Sequence, residues 1–359
     1  MSDSFSMARA RKALAQAGFD EHVPITRASS VTNEVWLTDD MVIRVNRRPN
    51  HRLRREADLA PHLPDSVGYP RTIAYGGELG ADWLITERRP GEMLSVCWPD
   101  MGEFERRNAV RQLAGMLREL HQVKVPPGLP PIEDPPQLLD PAKIPVIAPI
   151  LTTLDALEQG AASNGVSAGL IADIRLLVSN PNNALEPYST ATLIHGDLHF
   201  QNVLWDGFSV TALLDLEWAR GAPPDLDLDV FLRFCAHPHW FVAPEYVERT
   251  RVEDYAAVPY WLAEYYPELF GHEYALERLE LYSIAYDVRD LYDEVVKNKK
   301  VIEGSTRDLP EWHPHKRLED TVYGRTHLRR LAGQVAWDAP DFGEPQPGPP
   351  PLASSAPLR

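Results

Sequence analysis

Along this chain the spacing of apolar positions changes from segment to segment, and each change predicts an element. Residues 1–20, MSDSFSMARARKALAQAGFD, interleave small apolar and basic side chains as an amphipathic helix does. From Ile25, ITRASSVTNEVWLTDDMVIRVN has β-rich runs on both sides of Thr38-Asp39-Asp40, which predicts a hairpin. HRLRREADLAPHL returns to helical spacing, with Leu53, Ala57, Ala60 and Leu63 on roughly one side. RTIAYGGELGADWLITERRPG then predicts two more strands around a glycine-rich turn, stopped by Pro90-Gly91. Together these describe a small sheet-bearing lobe over residues 1–89.

The pattern beyond it is helical. FERRNAVRQLAGMLRELHQV places apolar residues three and four apart with no interior proline, a long core helix over 103–123. VPPGLPPIEDPPQLLDPAKIP carries too much proline for a helix or a central strand and reads as a surface excursion. Another helix is expected around Ile150 to Leu177, and residues 242–296 keep a helical pattern crowded with tyrosine and acidic side chains. The larger lobe spans 90–337. From Asp338 the chain ends in low-complexity PQPGPPPLASSAPLR, expected to be a disordered tail over 338–359.

Charge and cysteine content narrow the function. A formal net charge of −16 without any long basic block argues against nucleic acid, whose phosphates need clustered Lys and Arg, but suits a cationic small substrate. Cys97 and Cys235 form no CxxC pair, so neither a zinc knuckle nor a redox centre is indicated. No segment approaches the ~18 apolar residues of a membrane span, and the N-terminus lacks the apolar core of a signal peptide. The expected location is cytoplasmic, with no membrane partner.

The chemistry concentrates in LIHGDLHFQNVLWDG, residues 193–207, and ALLDLEWARGAPPDLDLDVF, residues 212–231. In each, an apolar run delivers an acidic side chain at the edge of a buried element. A carboxylate able to accept a proton, with an Asn and a second Asp offering oxygen ligands, is what magnesium-nucleotide phosphoryl transfer requires. HGDLHFQN followed by LLDLEWA resembles the catalytic and metal-binding loops of the aminoglycoside phosphotransferase family, relatives of protein, choline and macrolide kinases. The resemblance implies an α+β, bilobal protein kinase-like fold: a small β-sheet N-lobe with one main helix, and a larger, mostly helical C-lobe. It implies Asp197 as catalytic base, Asn202 and Asp215 as Mg2+ ligands, and Asp227 as the acidic residue that opens the next helix and braces the catalytic loop. His195 and His199 read as supports of the loop, and Glu217 as a secondary candidate for metal or substrate.

The nucleotide-binding lobe departs from the kinase pattern. A kinase grips the α- and β-phosphates with a strand Lys paired to a helix Glu. MVIRVN offers Arg44 instead, as macrolide phosphotransferases do, and a guanidinium can bind phosphate through a fork. Glu56 in RREADL is its expected partner. The phosphate loop ASSVTNEVW has no glycine, so Ser30 and Thr32 are expected to supply hydroxyls and amides, with Asn33 before the next strand. LITERRPGEML resembles the family connector, whose backbone at Thr86 to Arg88 would meet the base of ATP or GTP. Leu120 and His121 at the end of the long helix read as core and cap residues. The paired motifs His237-Pro238-His239 and His313-Pro314-His315 are weak metal candidates, because a stable site needs three or four ligands. The expected activity is transfer of the γ-phosphoryl of ATP or GTP, with Mg2+, to a hydroxyl of a small acceptor such as an aminoglycoside or amino sugar. The alternative is a nucleotide-binding pseudokinase or scaffold without transferase activity.

Overall fold

The computed structural model describes residues 3–28, 30, 33–179, 183–302 and 306–332, so the expected tail over 338–359 lies outside the described residues. The chain divides into two compact units: Met1–Pro135 with Ala191–Gly221, and Pro136–Thr190 with Ala222–Arg359. The contacts place the long helix of residues 103–120, and the loops carrying Asp197 and Asp215, in the first unit with the sheet. No described helix is long and apolar enough to cross a membrane.

The first unit begins with α1 (Asp3–Gln16) and strands β1 (Thr26–Ala28), β2 (Glu34–Leu37) and β3 (Met41–Val45). After α2 (Arg52–Leu59) come β4 (Thr72–Gly76) and β5 (Trp83–Glu87), completing an antiparallel sheet of order β1-β2-β3-β5-β4. The β-rich run before the Thr38 turn holds two strands, and Asn33 stands just ahead of the second as expected. Alternation along β3 sends Met41, Ile43 and Val45 to one face, where they meet Ala10, Ala13 and Leu14 of α1 together with Trp36, Trp83 and Ile85. The indole N–H groups of Trp36 and Trp83 are satisfied from α1 as well, donating to Ser6 Oγ at 3.2 Å and Gln16 Oε1 at 2.8 Å. The same period of two turns Arg44 to the opposite face, the face α2 covers.

The helix forms as its spacing predicts, but the face it buries is a different one. Its buried positions are Leu53, Arg55, Glu56 and Leu59, while Ala57 and Ala60 are only partly covered. Two buried ionic side chains on an eight-residue helix require partners, since an unpaired charge in the interior costs several kcal/mol. Arg55 donates to the backbone oxygens of Pro130 and Ala219. Thus α2 holds both the proline-rich segment and the Asp215 loop, and the partners of Glu56 form the site described below.

The unit continues with β6 (Glu92–Met93), the short α3 (Leu94–Cys97) and α4 (Glu103–Leu120), whose buried stripe Ala109, Val110, Leu113, Ala114, Leu117 and Leu120 follows the predicted spacing. His121 caps it at the C-terminal end. After the inserted segment, β7 (Leu193–Ile194), β8 (Val203–Trp205), β9 (Val210–Leu213) and β10 (Arg220–Gly221) frame the motif loops, with β6-β8-β9 forming one small sheet and β7-β10 another.

The second unit is helical. The single helix expected over 150–177 is two, α5 (Ala148–Asn164) and α6 (Ala168–Ser179). The break falls at Gly165, with φ +77, where a Cβ would stand 2.3 Å from Ile302 O. Only glycine fits that left-handed, close-packed C-terminal position. Next come α7 (Asp225–Ala236), α8 (Val258–Tyr265), α9 (Ala275–Tyr292), α10 (Pro314–Val322) and α11 (His327–Ala332). The helical pattern of 242–296 is realised in pieces, 3-10 turns at Pro244–Arg249, Val252–Tyr255 and Pro267–Phe270 alternating with the α-helices, and Pro244, Pro259 and Pro267 each sit in a first turn, where proline costs no hydrogen bond. Asp227 is fully buried in the first turn of α7.

Candidate active site

Arg44 leaves β3 into a cluster of carboxylates. Its Nη1 donates to Glu56 Oε2 at 2.7 Å and its Nη2 to Asp215 Oδ1 at 2.8 Å, with Glu217 Oε2 3.9 Å away. Tyr69 donates its hydroxyl to the same Glu56 oxygen at 2.7 Å, and Arg52 Nη1 reaches Glu217 Oε1 at 2.8 Å while its guanidinium lies over Trp218 at 4.0 Å. Oxygen atoms of Glu56, Asp215 and Glu217 all lie within 4.8 Å of one another, the one such grouping of three potential ligands among the described residues. Burial pushes the Glu56 carboxyl up, opposed by Arg44. Burial and the neighbouring Asp215 charge push Glu217 up to about 8, against the pull of Arg44 and Arg52. Arg44 is held well above its ordinary value: burial works against its charge, but Glu56 and Asp215 outweigh it.

Asp215 itself has φ 60 and ψ 55, a left-handed conformation that costs a non-glycine residue roughly 1–2 kcal/mol. The turn is held from outside. Leu214 N donates to Asn202 O at 2.8 Å, and the His195 Nε2–H donates to Leu214 O at 2.9 Å. His195, with no exposed surface, accepts the Asp197 amide at Nδ1 (3.3 Å), which fixes its neutral tautomer and ties the Asp197 loop to the Asp215 loop. Gly196 makes the turn possible: φ is +85, and a Cβ would stand 2.3 Å from Trp218 O.

The Asp197 carboxylate is about one-third exposed and faces His199, whose Nε2 is 3.6 Å from Oδ2. Burial raises its pKa, but His199, by charge and hydrogen bond, and Arg220 draw it below the ordinary value, so it is ionised at neutral pH. Asn202 is buried and donates its side-chain Nδ2 to Asp197 O at 2.9 Å. That bond orients the amide so that its oxygen is the atom left to serve as a ligand.

Of the residues singled out from sequence, Arg44, Glu56 and Asp215 meet in direct contact, and Asp197 and Asn202 share one loop. Ser30 lies partly buried between β1 and β2, Thr32 lies outside the described residues, and Asn33 is buried. Thr86 is buried in β5 opposite Val42. Arg88 extends the same ladder, its amide donating to Asp40 O and its Nη1 to Thr38 O, both at 2.8 Å, and the Glu87 amide donates to Arg71 O at 3.0 Å. Those two amides are therefore committed within the sheet. Sequence reasoning passed over Tyr69, Arg52 and Arg220. Arg52 carried a signal, since it stands four residues before Glu56 on one helix face; Tyr69 carried none. The histidine pair 313 and 315 is structural: His313 caps α10 by accepting the His315 amide at 3.1 Å and approaches Glu294 at 3.2 Å, and His315 is fully buried.

Residues 24–264 match the model of the phosphotransferase enzyme family. The chain is 30% identical over 195 residues to an aminoglycoside 3'-phosphotransferase of Streptomyces ribosidificus, covering 53% of this chain and 67% of that protein. It is 29% identical over 207 residues to the enzyme of the same name from Streptomyces fradiae, covering 55% and 70%. Among solved structures, the gentamicin complex of APH(2")-IIa aligns with a TM-score of 0.61 over 92% of this chain and 98% of that one, at 16% identity. A ternary complex of aminoglycoside phosphotransferase APH(4)-Ia with ADP and hygromycin B aligns at 0.55, 14% identity, over 88% and 97%. At such identities the structures establish a shared fold, an antiparallel sheet with a helical C-terminal part.

Proposed function

The chain belongs to the phosphotransferase enzyme family, and from that premise we propose that it transfers the γ-phosphoryl group of ATP or GTP to a hydroxyl of a small acceptor, an aminoglycoside, amino sugar or related cationic compound. The observation that carries the reading is the tie between the two motif loops. His195 and the Leu214–Asn202 backbone bond hold Asp197, Asn202 and Asp215 within one compact unit, beside the ion pair of Arg44 and Glu56.

In this reading Asp197, ionised and partly exposed, accepts the proton of the acceptor hydroxyl as its oxygen bonds to the γ-phosphorus and the bond from that phosphorus to the β–γ bridging oxygen breaks. Arg44 binds the phosphates with its fork, and Glu56, braced by Tyr69, holds the guanidinium in place. Ser30 and Thr32 approach the phosphates. Thr86 to Arg88 border the base, with contacts through backbone groups other than the committed amides of Glu87 and Arg88. Oxygen ligands from Asn202 and Asp215, with Glu217 alongside, fit Mg2+, which when bound would neutralise phosphate charge. A cytoplasmic location agrees with two free cysteines and with a nucleotide substrate.

The acceptor is read from chemistry only in class. Residues 242–296 carry more acidic than basic side chains, which favours a cation. The test is nucleoside diphosphate release with magnesium across a panel of cationic and neutral hydroxyl compounds. Asp197→Asn should lower kcat by about two to four orders of magnitude, the range of general-base catalysis, with nucleotide affinity nearly unchanged. Equal turnover in the variant, or no transfer to any acceptor despite nucleotide binding, would return the chain to the non-catalytic nucleotide-binding alternative.

A further inference from the structure

The second unit contains a cavity of about 130 Å3 among α7, α9, α10 and α11, and it shares no residue with the phosphotransfer site. By the measure in which one water needs roughly 10–15 Å3, it has room for several. Its least expected wall residue is Arg233, in the last turn of α7 and 4% exposed. Nη1 of this guanidinium donates to Asp287 Oδ1 at 2.7 Å, whereas Nε and Nη2 are buried without a hydrogen-bond partner. The same guanidinium lies over the Tyr286 ring, 4.7 Å from its centroid, and Asp229 adds to its charge balance, but each buried donor left without an acceptor still forgoes about 1–3 kcal/mol.

Two imidazoles stand nearby. His237 stacks flat on Trp240, with ring centroids 3.8 Å apart and an interplanar angle of 2°, and its ring lies 5.8 Å from that of His327. His327 Nε2 is buried and also lacks a partner. The carboxylates on the cavity wall are largely committed: Asp287 to Arg233 and Arg317, Asp320 to Arg325. Glu311 lies at the wall as well, and it is exposed. At the histidine end the surrounding charges are cationic. Burial first, then Arg233, Arg330, His239 and Arg317, push His237 down to about 3; burial and the same arginines hold His327 well below its ordinary value. Neutral imidazoles beside guanidinium donors in a positive field suit an oxyanion. A divalent cation would meet Arg233 and Arg330 with no carboxylate grouped with the two rings, since the one cluster of potential ligands among the described residues lies elsewhere.

We propose that this cavity is a second binding site, for a small oxyanion carrying a phosphate or carboxylate group, held by Arg233, Arg330, His237 and His327. The anion lies against the Arg233 side chain, whose charge it offsets, and accepts a hydrogen bond from an imidazole, and Arg330, exposed and giving only Nη1 to Arg325 O, closes over it from the solvent side.

The test uses the full chain without nucleotide or magnesium, titrated by calorimetry with inorganic phosphate, sodium acetate and zinc chloride in turn. Phosphate or acetate should bind once, with Kd near or below ~1 mM, and the tighter of the two identifies the group the site takes. Arg330→Gln and His327→Asn should each weaken binding about tenfold, as loss of a charge-assisted hydrogen bond does, and Arg44→Gln should leave it unchanged. If His327→Asn does not fold, Arg330→Gln at its exposed position still decides. Binding lost in Arg44→Gln but kept in Arg330→Gln would place the anion on the nucleotide site and overturn the proposal. So would tight zinc binding in preference to either anion, or no anion binding below ~10 mM.

Discussion

Replacing Arg44 by methionine, which keeps the buried stem and removes the fork, tests the pairing at the heart of the site. Two carboxylates lose a guanidinium at once, but unequally. The Asp215 side chain is 31% exposed and can fall back on water, whereas Glu56 has no exposed surface and keeps only the Tyr69 hydroxyl. Breaking a buried pair in this way typically costs about 3–5 kcal/mol. There is a ceiling, because the protein can protonate Glu56 instead. At pH 7, protonating a carboxyl whose unfolded pKa is ~4.3 costs roughly 4 kcal/mol, at about 1.4 kcal/mol per pH unit. The ceiling falls with pH, to roughly 1 kcal/mol at pH 5. Urea unfolding should therefore show Arg44→Met destabilised by about 3–4 kcal/mol at pH 7 and by only ~1 at pH 5. Adding Glu56→Gln should restore about 2–3 kcal/mol at pH 7, a coupling far outside the additivity of independent sites. In kinetics, Arg44→Met should raise the nucleotide KM, and Arg44→Lys should keep part of the function because a point charge replaces a fork. A loss that is the same at both pH values, or single effects that add to within ~0.5 kcal/mol, would show that Arg44 and Glu56 do not act as a unit.

Three further outcomes follow from the geometry. His195→Phe strands the Leu214 carbonyl and the Asp197 amide, so stability should fall by about 2–5 kcal/mol and kcat should drop with little change in nucleotide KM; a KM effect alone would remove His195 from the positioning of the two loops. Gly196→Ala must place a Cβ against Trp218 O at φ +85, and a melting curve should show a loss of about 2–4 kcal/mol; a neutral change would mean the turn is far softer than its contacts imply. His237, with its folded pKa near 3, takes up a proton in the unfolded chain before it does in the folded one. Its contribution is therefore complete above pH ~6.5 and declines as pH falls towards ~3, by about 1.4 kcal/mol per unit. His237→Phe, which keeps the stack on Trp240, should lose about 2 kcal/mol less than the parent between pH 7.5 and 5 in urea unfolding, and an unchanged slope would sink the assignment.

What could be read in the sequence divides along a physical line. Elements set by local period were legible: the β3 alternation that turns Arg44 away from the α1 core, the apolar stripe of α4, and the loops presenting Asp197 and Asp215 between buried strands. Elements set by distant contacts were not. The break between α5 and α6 follows from the approach of Ile302 to Gly165, more than a hundred residues away, and NG inside a helical pattern is a weak stop without that neighbour. The helix α2 was misread for a related reason. Its buried face includes Arg55 and Glu56, which a hydrophobicity pattern assigns to solvent, and only their partners at Pro130, Ala219 and Arg44 make burial tolerable. Tyr69 is the extreme case, a tyrosine in a loop whose role exists only because Glu56 is beneath it.

The same division explains why the departures from the kinase pattern are tolerated. A lysine at position 44 could satisfy one carboxylate at a time as a point charge, whereas the guanidinium bridges Glu56 and Asp215 through two different nitrogens, 2.7 and 2.8 Å away. The Asp215 turn, in a left-handed conformation no glycine relieves, is held on its strand side by Leu214 and its bonds to His195 and Asn202, and at its own carboxylate by Arg44. Backbone strain of this kind persists only where the surroundings over-determine it. Here the surroundings come from a strand, the Asp197 loop and a helix within one unit, so the proposed oxygen ligand Asp215 and the proposed phosphate-binding fork of Arg44 are set by the same network, and a substitution in any one of the three should be felt at Asp215.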